Sequence, residues 1–122
     1  MMRLRLIAVA ACLAVPLISH AQLAVSLHAR TAGELAAMCG ANPREAGADA
    51  RINYCHGFAQ GVVDVELARA GEKKPFCFPT PAPTRTATLR QFVEWVRGQP
   101  ERANLRPVDG LMQFLGERYP CK

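Results

Sequence analysis

Four cysteines, Cys39, Cys55, Cys77 and Cys121, constrain this chain more than any other feature. They are what remains of five once the amino terminus is read as a leader. Arg3 and Arg5 form a positive start, Leu6 to Ile18 a nearly unbroken apolar run, and Ser19-His20-Ala21 puts small residues where a signal peptidase reads them. The pattern predicts a cleaved signal peptide over 1–21 and a mature domain over 22–122. The apolar run is too short to span a bilayer and contains Pro16, so no membrane anchor is expected after cleavage. Cys12 follows Val9-Ala10-Ala11 in the manner of a lipoprotein site, but apolar sequence continues beyond it, which argues for plain cleavage. Export implies an oxidising compartment, where an even set of cysteines pairs into disulfides. The rival use, a structural zinc site, favours close cysteine pairs, and no two of these four lie within four positions of each other.

The mature chain reads as four helices and no convincing strand. Thr31-Ala32-Gly33-Glu34 has capping-box spacing, with Thr31 able to cap and Glu34 to reach back. Leu35, Met38 and Cys39 then share a helical face that should end near Gly40, before Asn42-Pro43. A longer helix is expected from about Asp49 to Ala70. Ile52, Cys55, Ala59 and Val62 form its stripe, widened by Phe58 and Val65. Gly57 and Gly61 sit four apart on it, and the structural reading of such a pair is close approach of another helix. Gly71 to Pro75 breaks this helix. Pro79, Pro81 and Pro83 then force an extended path, with Phe76 and Phe78 packing it against the body. Thr88-Leu89-Arg90-Gln91 reads as a second capping box, and Leu89, Phe92, Val93 and Val96 as the stripe of a third helix stopped by Gly98 and Pro100. A polar link follows to Arg106. Pro107 opens the last helix, with Val108, Leu111, Met112, Leu115 and Tyr119 in register. Short loops make these helices antiparallel neighbours in one all-α domain.

Four cysteines allow three pairings. Cys55 lies near the start of the long helix and Cys77 beyond its end, a rise of roughly 24 Å at 1.5 Å per residue, which disfavours joining them. Up-and-down packing brings Cys39 beside Cys55 and Cys77 beside Cys121. That pairing is expected, with Cys39–Cys77 and Cys55–Cys121 the alternative.

Little in the chain carries catalytic chemistry. Cys55-His56 is the only Cys–His neighbour pair, and a haem motif would need cysteine where Ile52 stands. Adjacent helical residues point about 100° apart, so the pair does not make a nucleophile and its base. Asp64, Glu66, Glu94, Asp109 and Glu117 are spread over several helices without an evident acid–base couple. The only serines are Ser19 and Ser26, and no metal, phosphate-loop or hydrolase motif is present. No catalytic, cofactor or metal site is expected, and binding is favoured over enzymatic activity. Removing Arg3 and Arg5 lowers the formal charge of +5 by two. No basic block or aromatic–basic interleaving suggests nucleic acid as a partner.

Several elements together are more specific. Cys39 is followed by Tyr54-Cys55-His56-Gly57-Phe58-Ala59-Gln60-Gly61-Val62-Val63-Asp64, by Phe76-Cys77-Phe78-Pro79, by Gln99-Pro100-Glu101 and by Arg118-Tyr119-Pro120-Cys121. This set resembles the Rap/Tai family of immunity proteins over essentially the whole mature chain. The resemblance implies a small helical fold akin to the acid-stress chaperone HdeA and a periplasmic location. It implies neutralisation of a peptidoglycan amidase or endopeptidase toxin delivered by type VI secretion, by a surface loop that blocks the toxin's cleft. It also implies a tendency to dimerise. Here the segment after Cys77 is lengthened and Pro-rich, through Thr80-Pro81-Ala82-Pro83, where relatives pass quickly into the next helix. The toxin-facing loop varies with the toxin. By position, the polar link supplies the candidate contacts Gln99, Glu101, Arg102, Asn104 and Arg106. The alternative role is a periplasmic stress chaperone or other binding module with no toxin partner, since a fold does not fix a function.

Overall fold

The computed structural model describes residues 26–122, so the leader and its expected cleavage point lie outside the described residues. Five helices follow one another: α1 (Ala32–Cys39), α2 (Ala48–Ala70), α3 (Arg85–Gly98), α4 (Pro100–Ala103) and α5 (Pro107–Arg118). The fold is all-α, and disulfides join Cys39 to Cys55 and Cys77 to Cys121. The first ties the end of α1 to the first half of α2. The second closes a loop of sequence separation 44 and clamps the strap before α3 to the end of the chain. Beside it the Cys77 N–H donates to Tyr119 O at 2.7 Å.

A short helix is the hub. α1 has eight residues and packs on all four other helices, with Ala32, Leu35, Ala36 and Met38 buried. Around it gather Leu89, Phe92, Val93 and Val96 of α3 and Leu111, Phe114 and Leu115 of α5. Phe76, 1% exposed, closes the core from the strap. Phe92 and Phe114 meet edge to face at 5.6 Å between ring centroids, a geometry that suits the ring quadrupoles.

Helix ends follow local chemistry, with three departures from the sequence reading. Thr31 caps α1 by accepting from the Glu34 N–H at 3.1 Å, but Glu34 reaches past the cap residue to the Arg30 N–H at 2.7 Å. α3 begins earlier than Thr88: Thr84 is its cap, accepting from the Ala87 N–H, while Thr88 lies buried inside the helix and donates its hydroxyl proton to Thr84 O. The polar link is also not wholly loop. Pro100 is already set for helical φ at the first position, and Pro100–Ala103 winds into one turn, giving five helices where four were expected. α2 is bracketed by glycines that the backbone requires, Gly47 at φ 74° and Gly71 at φ 59°.

The glycine pair on α2 needs correction. No other element approaches Gly57 or Gly61: a Cβ added at either would meet nothing within 4 Å. The buried positions of α2 include Cys55 and Ala59, and two residues carry the helix surface through roughly 200°, so Gly57 and Gly61 face away from the body. Val65, read as part of the inner stripe, is likewise 52% exposed. Close approaches occur instead on α1. A Cβ on Gly110 would stand 2.6 Å from Ala32 Cβ, and one on Gly33 would stand 3.0 Å from Ala103 Cβ. These small residues let α5 and α4 lie tightly against α1. Opposite effects of one substitution follow. Gly57→Ala should stabilise the fold by roughly 0.5–1 kcal/mol, because a helical glycine is replaced with no new contact. Gly110→Ala should destabilise it by about 1–3 kcal/mol through overpacking. Denaturant titration of both variants reads the difference, and equal effects would contradict the packing described.

Candidate partner-binding surfaces

The polar link that sequence position singled out is partly committed to the fold. Arg102 turns inward, with its side chain 19% exposed. Its guanidinium lies 4.2 Å above the Trp95 ring, donates from Nη1 to Trp95 O at 2.7 Å, and sets Nη2 3.5 Å from Glu117 Oε2. Its Nε–H is buried without a partner, a local cost set against the stacking, the bond to Trp95 O and the ion pair with Glu117. Glu117 is held further by Trp95 Nε1–H at 2.7 Å and by Gln113 Nε2–H at 2.9 Å. These donors, Gln113 first and Trp95 next, with the Arg102 charge adding to them, keep the Glu117 carboxyl below its usual value of 4.5. Arg102 therefore stitches α4 to α3 and α5 rather than facing a partner.

The other four residues of the link are spread around it. Gln99 and Glu101 are exposed at the start of α4, and Asn104 is exposed at its end. Arg106 is exposed but already bound in a fork to Asp109, Nε to Oδ2 at 2.6 Å and Nη2 to Oδ1 at 3.1 Å. Leu105 O accepts the Ala32 N–H at 2.8 Å, anchoring the link to the start of α1. Gln99, Glu101 and Asn104 are thus the members left with both exposure and an uncommitted side chain.

A second region was passed over because its prolines read as structural punctuation. The strap Phe78–Pro83 stands between two clefts, and Phe78 and Pro83 line both. One cleft, of about 270 Å³, is mostly apolar and lies between α2 and the α3–α5 pair. At its edge Arg85 Nη2 donates to Gln60 Oε1, and Gln60 Nε2 donates to Asp64 Oδ1, each at 2.7 Å. The other cleft runs along the strap to Gln91, Arg118 and Lys122. Phe78 is 37% exposed, although its ring edge rests on Phe76 and Tyr119 at 5.3 and 5.1 Å. Among the described residues, no group of three or more His, Cys, Asp or Glu side chains is placed to hold a metal ion. His56 is half-buried on α2, and none of the clefts above is lined by it.

The fold and these surfaces define a small, disulfide-stapled helical protein that offers shaped faces to a partner. The family model of the Rap1a immunity proteins matches residues 31–121, and the chain belongs to that family. The match runs from the cap of α1 to the last disulfide cysteine, so it covers every described helix. No curated protein and no solved structure matches the chain.

The Glu117 cluster yields a pH test. A carboxyl whose folded value is lowered adds stability above its unfolded value and loses it as pH falls through the folded value. The melting temperature of the wild type should therefore exceed that of Glu117→Gln at neutral pH, and the gap should narrow as pH falls below the ordinary carboxylate range. Arg102→Ala should cost about 1–3 kcal/mol at neutral pH, because it strips both Trp95 O and Glu117 of a donor. A gap that stays constant with pH, or an Arg102→Ala variant as stable as wild type, would contradict the arrangement.

Proposed function

We propose that residues 1–21 export the protein to the periplasm, where it binds a secreted peptidoglycan amidase delivered by type VI secretion and blocks that toxin's active-site cleft. The observation that carries this reading is the match to immunity proteins over residues 31–121. The amidase as target comes from the resemblance of the Cys55-to-Asp64, Cys77-to-Pro79 and Tyr119-to-Cys121 segments to the Rap/Tai proteins. Two disulfides fit an oxidising compartment, and no helix among the described residues is long and apolar enough to cross a membrane. In this reading the protein works by occupancy. It turns over no substrate, and its affinity comes from a pre-shaped surface that loses little entropy on binding. A homodimer in solution is compatible with the role, because occlusion needs only one face of each copy.

Co-expression tests the proposal. Each secreted peptidoglycan amidase encoded in the source genome is directed to the periplasm of a sensitive Gram-negative host, with and without the full-length chain. Lysis by one such enzyme should be suppressed by the full chain and not by the chain lacking residues 1–21. Lysis that continues with every amidase would remove the amidase reading.

A further inference from the structure

Cations and carboxylates are unevenly settled over this molecule. Arg30 pairs with Glu34, Arg51 with Glu45, Arg102 with Glu117 and Arg106 with Asp109. Three of these pairs account for the charged lining of the surfaces around the chain's lead, the α1–α2 corner and the start of α5, leaving His28 aside. The two clefts beside the Phe78–Pro83 strap differ. Their charged side-chain lining is Arg85 on one side and Arg118 and Lys122 on the other, with no Asp or Glu lining either. Among the described residues, none of these three side chains forms an ion pair. Arg85 is tied to the neutral Gln60, and Arg118 Nε to the neutral Gln91 at 2.6 Å. The nearest link to a negative charge is indirect, since Asp64 takes its bond from Gln60. The strap between them is exposed from Phe78 to Ala82 and carries an aromatic ring at its base. It cannot easily deform: Pro79, Pro81 and Pro83 fix φ and remove N–H donors, Cys77 is clamped to Cys121, and Thr84 begins α3.

We propose that this strap, flanked by Arg85, Arg118 and Lys122, is the surface that docks on the toxin, and that it seats Phe78 against an apolar site rimmed by the toxin's acidic residues. The proposal rests on the immunity reading and names its contact face. Charge complementarity identifies the partner's chemistry: positive charge left unneutralised on both sides of an exposed ring meets a negative rim, steers the encounter and fixes register. The ring supplies the anchor, because a rigid aromatic buries large area at small entropic cost. The Gln99–Arg106 link lacks both features, since its two arginines are already paired with carboxylates.

The test uses the amidase that the full chain neutralises. Its affinity and on-rate are measured by surface plasmon resonance for wild type, Phe78→Ala, the double variant Arg118→Glu/Lys122→Glu, and Asn104→Ala as a control on the link. Phe78→Ala should weaken binding by roughly tenfold or more, as loss of an aromatic anchor does. The double charge reversal should weaken it at least as much and reverse the dependence of on-rate on salt, while Asn104→Ala stays within about twofold. Because Phe78 touches Phe76 and Tyr119, the charge variant, confined to exposed side chains, is the decisive one, and its melting temperature is checked beside the wild type. Wild-type affinity in the charge variant with an intact wild-type complex overturns the docking surface and leaves the immunity reading standing. Absence of any complex with the wild type overturns both. Loss of a homodimer in the charge variant, seen by sedimentation without amidase, assigns the strap to self-association and also overturns the proposal.

Discussion

The structure depends on burying a helix too short to stand alone. An isolated eight-residue helix is marginal in water, so α1 exists because of what surrounds it. Its start is held by the Thr31 cap and by the Ala32 N–H bonded to Leu105 O, and its end by the Cys39–Cys55 bond. Ala32 and Leu35 are fully buried, and Gly110 on α5 and Gly33 on α1 itself let α5 and α4 close on it without a side chain between. Every other helix therefore takes its position from α1. This explains why small residues cluster there and why α2, which meets the body through the face that carries Cys55, Ala59, Phe58 and Val62, can leave Gly57, Gly61 and Val65 in the open.

Charge is then distributed according to what this packing needs. Arg102 is drawn inward because the short turn of α4 sets it over Trp95, and Glu117 follows as its counter-charge and as acceptor for the indole. Arg106 and Asp109 settle each other at the start of α5, where a carboxylate also meets the positive end of the helix dipole. Such exposed pairs contribute little to stability. Their larger effect is to cancel local potential, whereas Arg85, Arg118 and Lys122, where the strap meets α3 and α5, keep charges that no ion pair among the described residues cancels.

Legibility from sequence followed the range of the interaction. The Thr31 cap, the stripe Leu89, Phe92, Val93 and Val96, and Pro107 at the start of α5 were readable because each rests on contacts within one or two turns. Thr84 was missed because Thr84-Arg85-Thr86-Ala87 lacks the acid or amide that completes a capping box, while Thr88 is followed by Gln91. The backbone needs a side-chain acceptor at its first free N–H groups, and Thr84 supplies one without the second half of the motif. Gly57 and Gly61 mark one helix face whether it is inside or outside, and only the Cys39–Cys55 tether decides which. Arg102 read as surface because charge in a polar link normally is. Nothing local distinguishes it from Arg106; the difference lies in Trp95 and Glu117, brought from two other helices.

The strap shows how a segment between two anchors can shape a surface without disturbing a fold. Its residues leave after Cys77 and return at Thr84, and both points are fixed, one by the second disulfide and the other by the cap of α3. Lengthening the chain between two such anchors costs only a slowly growing closure entropy, and prolines reduce that cost by restricting the unfolded chain as well. The core contribution of the segment, Phe76, precedes the strap and stays buried, whereas Phe78, one residue past the cysteine, is left half on the core and half outside. On the docking surface proposed above, a change of partner can therefore be met by altering the six residues Phe78–Pro83 and the cations beside them, while α1 and the helices around it keep their packing. Separating the element that specifies the partner from the element that specifies the fold is what a protein of this size needs, because a core this small has little stability to give up.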